Sequence, residues 1–431
     1  MFAADSDNPA HTIHITWPDG SVSLIDSVKA NRMYEIDQGA IKLQDIPTET
    51  VHSVDSSASL FEDISDQLGH FHHEDSFSDF EIQPLLPMKL SQQGPGVAWL
   101  DITGDGNDDL LISSGKGGRL AVFQKKGNEQ LQETEIEGLT DITPGDQTAI
   151  IGWEEENYTR VMVGSSNYEQ GTSRAPSVQI FRIYPDLSIE KDSVQGVHSS
   201  TGPLAAADVT GNGYLDLFIG GNFKPGQYPA NADSRFFRNE SGTMLPDRAN
   251  SQIFAGLGLV NGAVFNDFNQ NGKQELLVST EWGTLRLFEY SDGIFEEITS
   301  EVGLDTWSGW WKGVATGDFN NDGLPDIVAT NIGLNTPYQV RNGYPLRMYY
   351  NDLSGLGRMD IIEAYADENG NYLPRRRLYK FQEQQIMLNR MGSHKEFANS
   401  TLDEILGNRY DQILYKEINT LQNMILSLIH I

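Results

Sequence analysis

Asp318-Phe-Asn-Asn-Asp-Gly-Leu-Pro-Asp326, running directly into Ile327-Val328, encodes a turn followed by a strand. Oxygen-bearing side chains stand at positions 1, 3, 5 and 9 of the turn. A glycine at position 6 permits a sharp reversal, and the β-branched pair that follows suits a buried pleated surface. The same arrangement returns as Asp101-Ile-Thr-Gly-Asp-Gly-Asn-Asp-Asp109, Asp208-Val-Thr-Gly-Asn-Gly-Tyr-Leu-Asp216 and Asp267-Phe-Asn-Gln-Asn-Gly-Lys-Gln-Glu275. Each precedes an apolar run: Leu110-Leu-Ile112, Leu217-Phe-Ile219 and Leu276-Leu-Val278. A fifth copy, Asp352-Leu-Ser-Gly-Leu-Gly-Arg-Met-Asp360, has Leu356 at position 5 and is expected to keep the turn but bind a cation poorly or not at all.

The loop starts lie 107, 59, 51 and 34 residues apart. The first interval is close to twice the next two, so one repeat has lost its loop. Thr148-Trp153, Thr159-Gly164 and Val178-Ile183 supply strands in that gap. A second repeated unit, Phe61-Glu-Asp-Ile-Ser-Asp-Gln-Leu-Gly69 and Phe295-Glu-Glu-Ile-Thr-Ser-Glu-Val-Gly303, supports the period. Short strands in units of about fifty residues predict an all-β chain folded as a β-propeller with radially arranged four-stranded blades.

Alternating oxygen ligands plus a backbone carbonyl at position 7 form a calcium cage, because Ca²⁺ takes six to eight oxygens without demanding a rigid geometry. The candidate ligands are Asp101, Thr103, Asp105, Asn107 and Asp109; Asp208, Thr210, Asn212, Tyr214 and Asp216; Asp267, Asn269, Asn271, Lys273 and Glu275; and Asp318, Asn320, Asp322, Leu324 and Asp326. An EF-hand needs a bidentate Glu at position 12, where this chain has Ile112, Ile219, Val278 and Ala329. Simple turn chemistry explains one such loop, but does not require acids or amides at four positions in four copies. The first and fourth loops carry three carboxylates each and are expected to bind more tightly than the second and third, which have Asn at position 5. With a dissociation constant of about 10⁻⁴ M and about 10⁻³ M calcium, each site adds roughly 1.4 kcal/mol, so about four structural Ca²⁺ ions rival the stability of a domain.

The 431 residues include 30 Lys+Arg against 61 Asp+Glu, a formal charge of −31, which argues against a nucleic-acid binder. The one basic triplet, Arg375 to Arg377, is too small to reverse that. No run of eighteen apolar residues could span a bilayer as a helix. The absence of cysteine excludes disulfides, thiolate metal sites and cysteine nucleophiles. Residues Met1 to Pro9 lack the basic and apolar regions of a signal peptide, which is read as truncation.

At its loops the chain resembles the FG-GAP or VCBS repeat family, whose integrin-α-like propellers have seven blades and hold calcium between strands. From about Leu60 to Gly407 it resembles the large VCBS-repeat proteins of Bacteroidetes-type bacteria, including His73 to Pro87, Leu90 to Pro95, Gly309-Trp-Trp311 and Asn331 to Asn335. Ile13-His-Ile-Thr-Trp-Pro-Asp-Gly20, with Val28 to Asn31 and Tyr34 to Ile36, resembles the end of an ASPIC/UnbV module, as in cartilage acidic protein-like relatives. The organisation implied is an ASPIC/UnbV remnant over 1–40, a linker over 41–59, an incomplete propeller over 60–371, and a helical insertion with the start of further propeller over 372–425. Within the insertion, Arg376 to Met391 reads as charged and helical, and Ser393 with Glu396 and Thr401 with Glu404 fit capping boxes. Leu402, Ile405 and Leu406 make a helical face. Residues 426–431, Leu-Ser-Leu-Ile-His-Ile, match a back-translated sequencing adaptor and are read as an artefact of a fragmentary gene.

His70, His72 and His73 with Glu74 and Asp75 offer transition-metal ligands, although neighbours on an extended segment point to opposite faces and at most two could converge. A surface or packing role is the plainer reading. Trp307, Trp310 and Trp311 serve either sugar stacking or blade packing, the latter favoured. Asn157, Asn239 and Asn399 head short triplets of the glycosylation type, set aside in a bacterial protein. No nucleophile elbow or phosphate loop is visible.

The resemblance implies a non-catalytic calcium-binding propeller of a secreted or cell-surface bacterial protein, at the outer-membrane surface or outside the cell, that binds a protein or glycan. The alternative is a polysaccharide lyase or hydrolase, which a convergent Lys/Arg/His/Tyr group around the propeller axis would favour.

Overall fold

The computed structural model describes residues 11–16, 22–28, 36, 63, 65–126, 130–171, 175–341, 343–381 and 389–427. The chain divides into two units, Met1–Ile64 and Ser65–Ile431. In the first, strands His11–Thr16 and Val22–Val28 form an antiparallel hairpin in which Ile13 pairs with Ile25 and Ile15 with Ser23. The predicted turn over Trp17 to Gly20, residues 29–34 and the proposed linker over 41–59 lie outside the described residues, as does Phe61.

The second unit is a β-propeller. Blade 1 comprises Val97–Leu100, Asp109–Ile112, Ala121–Lys126 and Gln130–Glu133; blade 2, Gln147–Glu154, Thr159–Ser165, Val178–Ile183 and Ile189–Val194; blade 3, Thr201–Ala207, Asp216–Gly221, Arg235–Glu240 and Thr243–Pro246. Blade 4 comprises Leu259–Asn266, the long strand Glu275–Ser291 and Ile294–Glu297, with Ser308–Trp310 paired to the long strand. Blade 5 comprises Gly313–Gly317, Asp326–Thr330 and Met424–Leu426. The first strands of consecutive blades lie side by side around an axis. Four of the acidic loops are the turns from first to second strand in blades 1, 3, 4 and 5. In blade 2 that turn is only Glu155 to Tyr158, closed by the Glu155 N–H donating to the Tyr158 carbonyl at 2.9 Å. This is the lost loop that the doubled interval predicts.

The second strands of blades 1 to 4 are buried on both faces, so their side chains alternate between two blade interfaces, while in blade 5 Val328 is half-buried and Thr330 exposed. Leu217 and Ile219 join Met162, Val178 and Ile180 between blades 2 and 3. Phe218, one residue between them, joins Phe236, Phe254, Leu276 and Phe288 between blades 3 and 4. Leu277 then turns to Ile327, Ala329 and Trp311 between blades 4 and 5. Continuous apolar runs such as Leu217-Phe-Ile219 are thus what a two-sided interior demands. Around the axis the first strands approach so closely that glycine is required: a Cβ on Gly96 would stand 2.1 Å from the Thr148 carbonyl oxygen, and one on Gly202 2.7 Å from that of Val260.

The sequence boundary of the insertion differs from the observed one. Residues 331–423 intervene between the second and third strands of blade 5, and they hold a four-stranded sheet ordered Tyr372–Pro374, Asp360–Ala366, Leu346–Asn351, Leu414–Ile418. The fifth loop, Asp352 to Asp360, turns within this inserted sheet, which accounts for its short interval. Leu414–Ile418 closes that sheet rather than beginning another blade. Leu426 pairs with Ile327 as part of blade 5, while residues 428–431 lie outside the described residues. Thr401 with Glu404 forms the predicted capping box, whereas at Ser393 only half of one is present: Ser393 Oγ accepts from the Glu396 N–H at 3.1 Å, but the Glu396 carboxylate accepts from the Gly392 N–H at 2.7 Å instead of from Ser393. Leu402, Ile405 and Leu406 are fully buried against Met348, Ile362 and Phe381 in one cluster that also contains Leu85, Leu86, Tyr228 and Trp310. Arg376 to Met391 is described only in part; Leu378–Phe381 is a 3₁₀ turn and 382–388 lie outside the described residues.

Phe254 is fully buried with ring centroids 5.2 Å from each of Phe218, Phe288 and Phe295. Phe254→Ala should therefore cost about 3–5 kcal/mol in chemical denaturation, whereas Trp307→Ala, at an exposed ring, should cost under about 1 kcal/mol.

Candidate functional site

All five acidic turns share one hydrogen-bond scheme. The position-1 aspartate receives backbone N–H groups from across the turn: Asp208 from Asn212 at 3.0 Å and Gly213 at 2.7 Å, Asp267 from Asn271 at 3.0 Å and Gly272 at 2.8 Å, Asp318 from Asp322 at 3.1 Å and Gly323 at 3.0 Å. Asp101 receives Gly104 and Gly106, both at 2.7 Å. In the degenerate copy Asp352 receives Leu356 at 3.0 Å and Gly357 at 2.9 Å, so the turn survives as expected. The position-6 glycines have φ from 77° to 87°, the left-handed conformation that the reversal needs.

The position-9 acids, Asp109, Asp216, Glu275, Asp326 and Asp360, are each the first residue of a second strand, and all are buried. One oxygen accepts from the loop backbone: Asp109 from Ile102 at 3.1 Å, Asp216 from Val209 at 3.2 Å, Glu275 from Phe268 at 2.8 Å, Asp326 from Phe319 at 2.9 Å. The position-5 side chains are exposed and accept from their own position-7 N–H groups, as Asp105 does from Asn107 at 2.9 Å, Asn212 from Tyr214 at 2.9 Å, Asn271 from Lys273 at 2.8 Å and Asp322 from Leu324 at 2.8 Å. At position 3, Thr103 Oγ1 donates to Asp101 at 3.3 Å, Asn269 and Asn320 accept from their position-5 N–H groups at 3.0 and 2.8 Å, and Thr210 Oγ1 is buried without a partner. Position 9 is therefore buried at the base of each loop, while position 5 stands outward. In neither the first nor the fourth loop do the three carboxylates bring one oxygen each within 4.8 Å of the others.

Two observations bear on a cation at these loops. Glu275 Oε1 is buried with no hydrogen-bond partner, a costly arrangement that a bound cation would relieve, whereas a hydrogen bond from Ser427 holds the Asp326 carboxyl below its ordinary range. Burial also pushes the Asp109 carboxyl up to about 6 and that of Glu275 up to about 7, with the nearby Asp101 and Asp267 charges adding to the effect. Carboxylate, amide and carbonyl oxygens are a donor set suited to a hard divalent ion. Asp101 differs: although burial opposes it, the Gly106 and Gly104 N–H groups hold its carboxyl below the ordinary range.

At the opposite end of the first strands a cleft of about 350 Å³ opens on the axis, with walls from all five blades. Gln93, Thr148, Thr201, Asn222, Asn261 and Lys312 supply its polar groups. Asn222 Nδ2 donates to Asn261 Oδ1 at 2.6 Å, Asn261 Nδ2 to Glu281 Oε2 at 3.0 Å, and Lys312 Nζ to the same oxygen at 2.9 Å. The buried Tyr228 hydroxyl donates to Glu281 Oε1, and burial together with the Glu281 charge raises its phenol well above the usual range. Lys312 Nζ also stands 5.2 Å from the Trp310 ring centroid. Lys312 on the cleft wall and the buried Tyr228 are thus bound to one carboxylate.

Trp310 and Trp311 are 1% and 0% exposed, as blade packing requires, while Trp307 is 41% exposed. Of the histidine segment, His70 packs edge-on to Phe123, His72 Nε2 lies 3.3 Å from Glu74 Oε2, and His73 Nε2 lies 3.2 Å from Asp75 Oδ1. Among the described residues these histidines join no cluster of three ligands.

Residues 267–329 match the FG-GAP-like repeat. That stretch runs from the blade 4 loop to the second strand of blade 5. No curated protein matches the chain by sequence. Among solved structures it is similar to a lectin of Agrocybe aegerita that recognises non-reducing terminal N-acetylglucosamine (17% identity, 63% of this chain and 66% of that one, TM-score 0.33). It is also similar to an exo-1,5-alpha-L-arabinanase from a bovine ruminal metagenomic library (11% identity, 65% and 95%, TM-score 0.30) and to the Aleuria aurantia lectin in complex with alpha-methyl-L-fucoside (10% identity, 64% and 90%, TM-score 0.34).

The axial residues are invisible to loop-based reading. One signal was available: Asn222 and Glu281 both stand six residues past the position-9 acid of their loops.

In chelator, the folded chain holds protons on Asp109 and Glu275 more tightly than the unfolded chain does. Their contribution to stability is therefore fully present below about pH 4 and is lost as pH rises through about 6 to 7. Denaturation midpoints measured in chelator from pH 5.5 to 8 should fall with rising pH, and Glu275→Gln should flatten that fall.

Proposed function

We propose that this chain is a non-catalytic, calcium-binding propeller module of a secreted or cell-surface bacterial protein, whose axial cleft binds a glycan. The observation that carries the binding reading is the cleft itself. Amide and hydroxyl groups from several blades converge on a volume within the usual range for small ligands, about 300–1,000 Å³. Lys312 and Tyr228 are both committed to Glu281, which favours holding a polyhydroxylated ligand over moving a proton. Calcium would act at the loops through the position-1 and position-9 acids, neutralising buried carboxylates at the head of each second strand. It would leave the chemistry of the cleft unchanged. Weak sites of this kind fill at the millimolar calcium found outside cells, which supports the proposed location.

Two measurements test this reading. Thermal unfolding of the full chain should rise by several degrees in excess calcium over chelator, with the rise reduced in Asp101→Ala and Asp318→Ala; an unchanged midpoint would sink the calcium reading. A glycan array followed by calorimetry should find a ligand whose affinity falls at least about tenfold in Asn222→Ala and Lys312→Ala. Binding indifferent to both substitutions would place the ligand elsewhere, and turnover of an array glycan would favour the hydrolase or lyase alternative.

A further inference from the structure

Glu74, Asp146 and Glu169 come from three separate stretches. Glu74 lies in the segment before blade 1, Asp146 immediately before the first strand of blade 2, and Glu169 in the connection after the second strand of that blade. One carboxylate oxygen of each lies within 4.8 Å of the other two. That limit is about twice a calcium–oxygen distance of 2.3–2.6 Å, so one ion can touch all three.

The surroundings leave this cluster short of partners. The Glu169 side chain is 3% exposed, and its Oε1 is buried with no hydrogen bond; Glu74 Oε1 is likewise buried and unbonded. The charge balance is also incomplete. Lys116 Nζ lies 3.5 Å from Glu169 Oε2, the Lys116 backbone N–H donates to Asp146 Oδ1 at 2.9 Å, and His72 Nε2 lies 3.3 Å from Glu74 Oε2. Three carboxylates against one lysine leave two negative charges, the deficit that a divalent ion fills. Burial raises the Asp146 and Glu169 carboxyls above their ordinary values, and the neighbouring acids add to both shifts. Gly115 is part of the cradle, since a Cβ there would stand 2.6 Å from Glu74 Oε2.

We propose that Glu74, Asp146 and Glu169 form a site for a hard divalent cation such as Ca²⁺, separate from the repeat loops, that fastens the segment before blade 1 to blade 2. All donors are carboxylate oxygens, which selects calcium-like ions over softer metals. The site serves the one described blade whose first turn has no acidic loop, and it sits at the other end of that blade's strands. The proposal rests on neither the loop sites nor the glycan cleft.

The test is calorimetric titration of the chelator-stripped full chain with Ca²⁺, comparing wild type with Asp146→Asn/Glu169→Gln. The double variant should take up one ion fewer per chain. Its unfolding midpoint should be higher than wild type in chelator, where repulsion is relieved, and its calcium-induced rise should be smaller. Unchanged stoichiometry and affinity would overturn the proposal. So would lower stability in chelator with an undiminished calcium response, the signature of a salt cluster centred on Lys116. Glu74→Gln, at the more exposed corner, should weaken that site at least tenfold, and an unchanged titration there overturns the proposal even if the double variant does not fold. Asp101→Ala/Asp318→Ala should retain the site, which separates its failure from failure of the loops.

Discussion

A buried carboxylate at the head of the second strand organises four of the five described blades, the exception being blade 2, whose second strand begins at Thr159. It accepts an N–H from the start of its own loop, so the turn cannot open without exposing an unpaired donor, and it fixes the residue at which pleated pairing begins. Because the side-chain period in a strand is two, fixing that first residue also decides which of the following apolar side chains faces which neighbouring blade. Loop, register and inter-blade core are thus one connected system. Burial raises the Asp109 and Glu275 carboxyls, with the position-1 aspartates adding to both, whereas a hydrogen bond from Ser427 holds that of Asp326 below its ordinary range.

The parts of this fold that were legible in the sequence are those that repeat locally. Asp-x-(Asn/Thr)-x-(Asp/Asn)-Gly followed by an apolar run identifies a turn and a two-sided strand without reference to anything distant, and the missing copy in blade 2 shows as a doubled interval. Local pattern fails at the insertion. Leu346–Asn351, the Asp352 loop and Asp360–Ala366 repeat the strand-turn-strand signature faithfully, yet they belong to a separate sheet. Nothing in Met424-Ile-Leu426 reveals that its partner strand is Asp326–Thr330. Pairing across so long an interval is decided by tertiary packing, which propensity does not encode.

Function was legible in the same uneven way. The loop acids advertise themselves because all the candidate ligands of one turn fall within nine residues. Asn222, Asn261, Glu281 and Lys312 come from three blades and meet only because the glycines of the first strands let those strands crowd the axis. Glu74, Asp146 and Glu169 have no spacing rule at all. The histidine segment drew attention by composition, but its structural interest lies in Glu74, whose carboxylate joins those of Asp146 and Glu169.

The insertion in blade 5 begins and ends at nearly the same place. Asn423 Oδ1 accepts from the Asn331 N–H at 2.7 Å, Asn331 Nδ2 donates to the Thr420 carbonyl at 3.2 Å, and the Gly333 N–H donates to the Leu421 carbonyl at 2.8 Å. During synthesis, blades 1 to 4 emerge with all their strands, whereas blade 5 leaves the ribosome with one edge open until the last strand arrives. Once the inserted sheet has folded, its joined ends present that strand to the blade as a short hairpin would, so the entropy of closing the long loop is met within the insert. The insert is thus fastened to the propeller twice, at its joined ends and through the core it shares with Tyr228 and Trp310, so a domain exchanged into this position would have to supply both attachments.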